Sequence, residues 1–146
     1  MSPWWQLAWA DSLTPAMTAS EKAWEYVDES NSIGIVLNKD SVVTDVIVDS
    51  PAARAGMGPG MKGGAINSRR YTAEHLREEL RAGKGGKEPF EVIAEHGSFV
   101  RTFRLDWHDG VVYPTLVRNV SKPDLLSEIL KPRTAPVAAE PGEKGR

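Results

Sequence analysis

Residues 32–71 read SIGIVLNKDSVVTDVIVDSPAARAGMGPGMKGGAINSRRY. Ile33-Gly34-Ile35-Val36-Leu37 is a short apolar strand, and Asn38-Lys39-Asp40-Ser41 supplies the polar residues of a hairpin turn. Val42 to Val48 is rich in β-branched residues, the composition of a buried strand. Ser50-Pro51 opens a helix, with Ser as cap and Pro at the first helical position. Ala52, Ala53 and Ala55 keep that helix slim, and Gly56 stops it. So short a helix cannot persist alone and must dock on a sheet. Gly58-Pro59-Gly60 makes a tight turn, and Ala65-Ile66-Asn67 forms a short strand before a turn at Ser68-Arg69.

Thr72 caps the principal helix, Ala73 to Ala82, which Gly83 closes. Leu76 and Leu80 share one face at i, i+4, leaving Arg77, Glu78 and Arg81 toward water. Phe90–Glu95 and Phe99–Trp107 flank His96-Gly97-Ser98, and the alternation at Phe99, Arg101, Phe103 and Leu105 marks a hairpin. On the N-terminal side, Trp5, Leu7 and Trp9 alternate as on an edge strand. Ala19 to Tyr26 reads as a short helix capped by Ser20, with Ala23, Trp24 and Val27 inward. Near the other end Ser121 to Leu130 reads as a short helix stopped by Pro132. Residues 133–146 carry no apolar pattern and are expected to be disordered.

The 146 residues suffice for one core. The charged share of 26% is ordinary for a globular protein, and the net charge of −2 lacks the basic footprint of a nucleic-acid binder. With no cysteine, disulfides, thiolate metal sites and a Cys nucleophile are excluded. The N-terminal apolar stretch is too short to span a membrane and lacks the charged start of a signal peptide. The chain is expected to be cytoplasmic, or periplasmic if it is a fragment of a longer protein, with no membrane partner.

Catalytic constellations are missing. His75-Leu-Arg-Glu-Glu is not the His-Glu-x-x-His arrangement that sets two imidazoles around zinc. His96 falls in the hairpin turn, and His108 follows Trp107 beside Asp109. Ser32, Ser68 and Ser98 lack the nucleophile elbow. The glycines at 56, 58, 60, 63 and 64 do not form a dinucleotide fingerprint. No cofactor, metal or catalytic residue is expected.

The positive signal is Asn31-Ser32-Ile33-Gly34-Ile35. A small-residue loop entering an apolar strand can aim successive amides at a carboxylate. The strand then offers its edge to a partner peptide, and the 73–82 helix forms the other wall. This is the order of parts in a PDZ-type module. The expected fold is therefore α+β, a partly open antiparallel barrel capped by two helices, with an added N-terminal strand and a C-terminal helix. The boundaries are 1–30 for an N-terminal extension, 31–108 for the PDZ-like domain, 109–132 for a C-terminal extension and 133–146 for the tail. Ser32, Ile33, Gly34, Ile35, Leu37, His75, Leu76 and Leu80 are the expected peptide-binding residues, and the segment 33–37 is expected to keep one edge unpaired.

The stretch from SIGIVLNKDSVVTDVIVDSPAARAGMGPGMK through AIN-x-RRYTAEHLREELRAGK resembles the C-terminal PDZ region of the glycyl-aminopeptidase-like zinc peptidases, the M61 family. Trp5-Gln6-Leu7, Arg101–His108, Tyr113-Pro114 and Pro123–Leu130 are similar to its flanks, so the likeness spans most of residues 4–133. It implies an accessory portion of such a peptidase, without the upstream zinc helix and so without peptidase activity. Its partners would be peptide C-termini or extended segments, and an M61 catalytic domain. The alternative is a structural domain that docks on that catalytic domain and binds no free peptide. Gly63-Gly64 departs from the bulky apolar pair that the resemblance leads one to expect, and costs the strand roughly 0.5–1 kcal/mol per glycine.

Overall fold

The computed structural model describes residues 4–132, so the tail expected to be disordered lies outside the described residues. Its fold is α+β, with strands in antiparallel sheets and no closed barrel. Two compact units are present, Leu7–Leu116 and a smaller one from residues 4–6 and 117–132. The site lies wholly within the first.

Strand β1 (Trp5–Ala10) leads to helix α1 (Pro15–Trp24). This helix starts earlier than expected, because the Thr14-Pro15 pair caps it: Thr14 Oγ1 accepts from the Met17 amide at 3.3 Å. Ser20 is left in its interior, its hydroxyl 3.0 Å from the Tyr26 hydroxyl. Trp24 is 78% exposed rather than inward, since the partly buried Leu13 and Met17 define the side of the segment that meets the core. The left-handed Glu25 (φ 52°) ends the helix and redirects the chain into strand β2 (Tyr26–Glu29). The helical reading through Tyr26 missed that strand.

Strands β3 (Ile35–Asn38) and β4 (Val43–Val46) complete a sheet of order β2-β3-β4. Of the Val42–Val48 run only Val43 is fully buried, and Val48 is 82% exposed. Inside β4 the burial is one-sided, so β-branching reports strand formation here and not burial. Helix α2 (Pro51–Ala55) begins as the Ser-Pro pair dictates, the Ser50 hydroxyl accepting from the Ala53 amide at 3.2 Å.

The second sheet has the order β6-β5-β7-β8, from strands β5 (Lys62–Ile66), β6 (Arg69–Arg70), β7 (Phe90–His96) and β8 (Phe99–Leu105). Strand β5 reaches back through Gly63-Gly64, with a register shift against β7 between Gly63 and Ala65. A Cβ on Gly64 would sit 3.4 Å from the Ile93 carbonyl and one on Gly63 3.6 Å from the Tyr71 ring. These are ordinary van der Waals distances, so the glycine pair marks a bulge in a continuous strand and not a broken one. Helix α3 (Ala73–Ala82) carries its Thr72 cap, Oγ1 accepting from the His75 amide at 3.0 Å. Strand β9 (Tyr113–Arg118) pairs with β1 in a two-stranded sheet. Helix α4 (Leu125–Leu130) starts at Asp124, later than expected, because the Asp124 carboxylate takes the cap bond from the Ser127 amide at 3.0 Å.

The core joins Ile33 of the loop before β3, with Ile35 and Leu37 of the first sheet, to Val92, Phe103 and Leu105 of the second, with Leu76 and Leu80 of α3 in the same cluster. Phe99, at the hairpin tip, is 73% exposed, so the inward face of β8 is Phe103 and Leu105 alone.

Candidate functional site

The loop before β3 forms the expected convergence of amides. Gly34 sits at φ 88°, and a Cβ there would lie 2.1 Å from the Ser50 Cβ, so the position accepts only glycine. The Ser32 and Gly34 amides point at one acceptor, at 3.1 and 2.9 Å. That acceptor is the carbonyl of Glu29, from the same chain.

The open edge expected along 33–37 is not there. Strand β2 pairs antiparallel with β3, Tyr26 opposite Asn38 and Glu29 opposite Ile35, while β4 pairs on the other side. The reason is local: five residues, 30–34, turn the chain back from β2 onto β3, so the segment nearest in sequence takes the edge. On the outer side of β2, the edge of this sheet, the Asp28 amide donates to Glu21 Oε1 of α1 at 3.2 Å.

Helix α3 holds this segment through charge. The Glu29 side chain is 0% exposed. Its carboxylate accepts from the Ser32 hydroxyl at 2.8 Å, the Tyr113 hydroxyl at 2.6 Å and Arg77 Nε at 2.8 Å. Arg77 Nη2 also donates to both Glu21 oxygens, at 2.7 and 2.9 Å. Arg77 therefore ties α1, β2 and α3 together and does not face water as the helix pattern predicts. Its position next to Leu76 and three before Leu80, on the border of the apolar stripe, was the available signal. The acidic run between Glu21 and Glu29 was its counterpart.

Burial disfavours the Arg77 charge, but its hydrogen bonds to Glu21 and Glu29 outweigh that and push its pKa up. Burial and the bond to Glu29 push the Tyr113 hydroxyl up. Burial pushes Tyr71 up to about 12, Arg77 offsetting part of the rise. The Tyr71 hydroxyl is buried without a hydrogen-bond partner. Replacing it should therefore cost little: Tyr71→Phe is expected to leave stability unchanged or raise it by up to about 1 kcal/mol. Because the fold keeps this phenol neutral, its contribution is complete below pH 10 and fades as pH climbs toward about 12. Denaturant melts between pH 9 and 12 should show a shallower alkaline loss in Tyr71→Phe than in the parent chain.

Of the expected site residues, Ser32 bonds the Glu29 carboxylate and Gly34 the Glu29 carbonyl. Ile33, Ile35, Leu37, Leu76 and Leu80 are core residues with at most 3% exposure, so they face one another and line no vacant cleft. His75 is buried too, its Nε2 3.3 Å from the Ile66 carbonyl. Glu29, Arg77, Glu21 and Tyr113 were not legible as a set, because they lie on four separate elements.

A groove of about 490 Å³ continues past the start of β2, bordered by Glu21, Tyr26, Val27, Asn38, Tyr71 and Thr72. Among the described residues no three His, Asp or Glu side chains cluster as metal ligands, and no helix is long and apolar enough to cross a membrane.

No family model matches the chain, and no curated protein does. Among solved structures it is similar to the PDZ domain of HtrA3 bound to a phage-derived ligand (FGRWV). The identity is 16%, over 77% of this chain and 91% of that one, with a TM-score of 0.38.

Proposed function

We propose that the chain is a non-catalytic, PDZ-like module that takes up extended peptide by strand addition along β3, with α3 as the facing wall. One observation carries this reading. The chain's own β2 is an extended segment paired to β3, its last carbonyl held by the converging Ser32 and Gly34 amides. The surface thus performs strand capture on an internal segment, and an external one binds by taking the place of β2. Ser32 and Gly34 keep their assigned roles in this exchange. Ile33, Ile35, Leu37, Leu76, His75 and Leu80 act from beneath as the packed support.

The finer reading is an accessory portion of an M61-type aminopeptidase, without peptidase activity. It rests on the sequence segments that resemble that family and on the lack of a His-Glu-x-x-His motif. The direct test is a titration of the full chain with peptides of varied C-terminus, followed by amide shifts. The expected result is shifts in residues 26–37 and 72–80 at millimolar peptide, because a tethered strand competes at an effective concentration on the order of millimolar. An unchanged spectrum in both segments would retire the reading.

A second reading, a domain that docks on a catalytic domain without binding free peptide, is favoured by a different observation. Leu7, Trp9 and Leu116, on β1 and β9, are 60%, 58% and 64% exposed. Substituting Trp9 by Ser should weaken association with such a catalytic domain if docking is its role, and leave peptide shifts untouched.

A further inference from the structure

Strand β2 occupies the edge of β3, so its contacts show what that edge can hold. Resting on the strand-capture reading, we infer that the groove is specific for an extended peptide ending in glutamate, and that β2 is an internal mimic of that ligand which keeps the groove shut. The geometry divides the recognition in two. The main-chain oxygen of Glu29 lies on the Ser32 and Gly34 amides, where one oxygen of a terminal carboxylate would lie in a free peptide. The side-chain carboxylate enters a fully buried pocket whose three donors are the Ser32 and Tyr113 hydroxyls and Arg77 Nε.

Nothing in that pocket suits an apolar terminus. An aliphatic side chain there would leave the Tyr113 hydroxyl and one guanidinium edge without their acceptor, and Ser32 with only the Val112 carbonyl at 3.5 Å, which is a heavy penalty in a buried site. Glutamine would keep the shape and lose the charge, and its amide group would meet donors. The Ser32–Glu29 hydrogen bond and the Arg77–Glu29 ion pair are thus specificity contacts as well as structural ones. One position earlier the Asp28 amide faces Glu21, and Glu21 is held in turn by Arg77. The latch on the outside of β2 and the pocket for its glutamate therefore share a single side chain. Whatever draws Arg77 toward a new glutamate acts on the same residue that holds Glu21 against β2.

The test uses the full chain and two variants that loosen β2 without touching the pocket. Val27→Pro breaks pairing within β2. Asp28→Pro, the milder one, removes the amide bonded to Glu21 and the carboxylate that accepts from the Ser30 amide at 2.9 Å, so it serves if the first fails to fold. Each is titrated by calorimetry with four peptides: Tyr-Val-Asp-Glu with a free C-terminus, the same peptide amidated, Tyr-Val-Asp-Gln and Tyr-Val-Asp-Val. Freeing the groove should tighten Tyr-Val-Asp-Glu by about tenfold or more over the parent chain. Within a loosened variant it should bind about tenfold or more tighter than each of the other three. Equal binding of the Gln and Glu peptides overturns the inference. So does preference for the Val peptide, which would leave strand capture standing. A folded variant that binds none of the four overturns both.

Discussion

Arg77→Ala is expected to lower the unfolding free energy by about 3–5 kcal/mol, because it strands the Glu29 carboxylate in the interior. Glu29 is 0% exposed, on a strand paired to β3. The same change releases Glu21, which bonds both Arg77 and the Asp28 amide, so β2 loses its outer latch as well. Urea unfolding at pH 7 measures the loss. Adding Glu29→Gln to Arg77→Ala should return part of it, since the buried charge is then gone, and a double-mutant cycle isolates the coupling. Raising salt to 1 M should change the parent's stability little, as a buried pair is weakly screened. A drop below about 1 kcal/mol for Arg77→Ala would mean that the pair is a surface interaction in solution.

Leu76→Ala is the second large effect, about 2–5 kcal/mol, the cost of lost transfer free energy and an internal cavity. Leu76 is 1% exposed and sits in the cluster that holds Ile33, Ile35 and Phe103. The sequence reading placed it on the wall of a ligand cleft, as a residue that selects the peptide side chain. The structure reverses this assignment. The expected result is a large shift of the denaturation midpoint, with the ranking of peptides by a β2-loosened chain unchanged. An altered ranking at preserved stability would restore Leu76 to the binding surface.

Sequence pattern and structure part most at the segment from Ala19 to Glu29. Local composition there favours a helix, and a helix does form, but from Thr14-Pro15 and not from Ser20. The following four residues, Tyr26–Glu29, are too few to announce a strand by periodicity. They become one because β3 presents an edge five residues away and the Ser32 and Gly34 amides capture the Glu29 carbonyl. Strand β9 was missed for the same reason: Tyr113–Arg118 has no alternation that marks it, and it is a strand because it meets β1.

What the residue order determined unaided was local chemistry. Ser50-Pro51 and Thr72 had to start helices, and Gly97 had to turn the β7–β8 hairpin, because caps, glycine turns and period-two apolar faces act over a few residues. Tertiary structure alone decided which segment occupies the margin of β3 and whether Arg77 meets water or Glu29. Those outcomes compare the free energies of alternative long-range pairings between residues as far apart as Glu21, Arg77 and Tyr113. No pattern confined to one stretch of chain encodes that comparison.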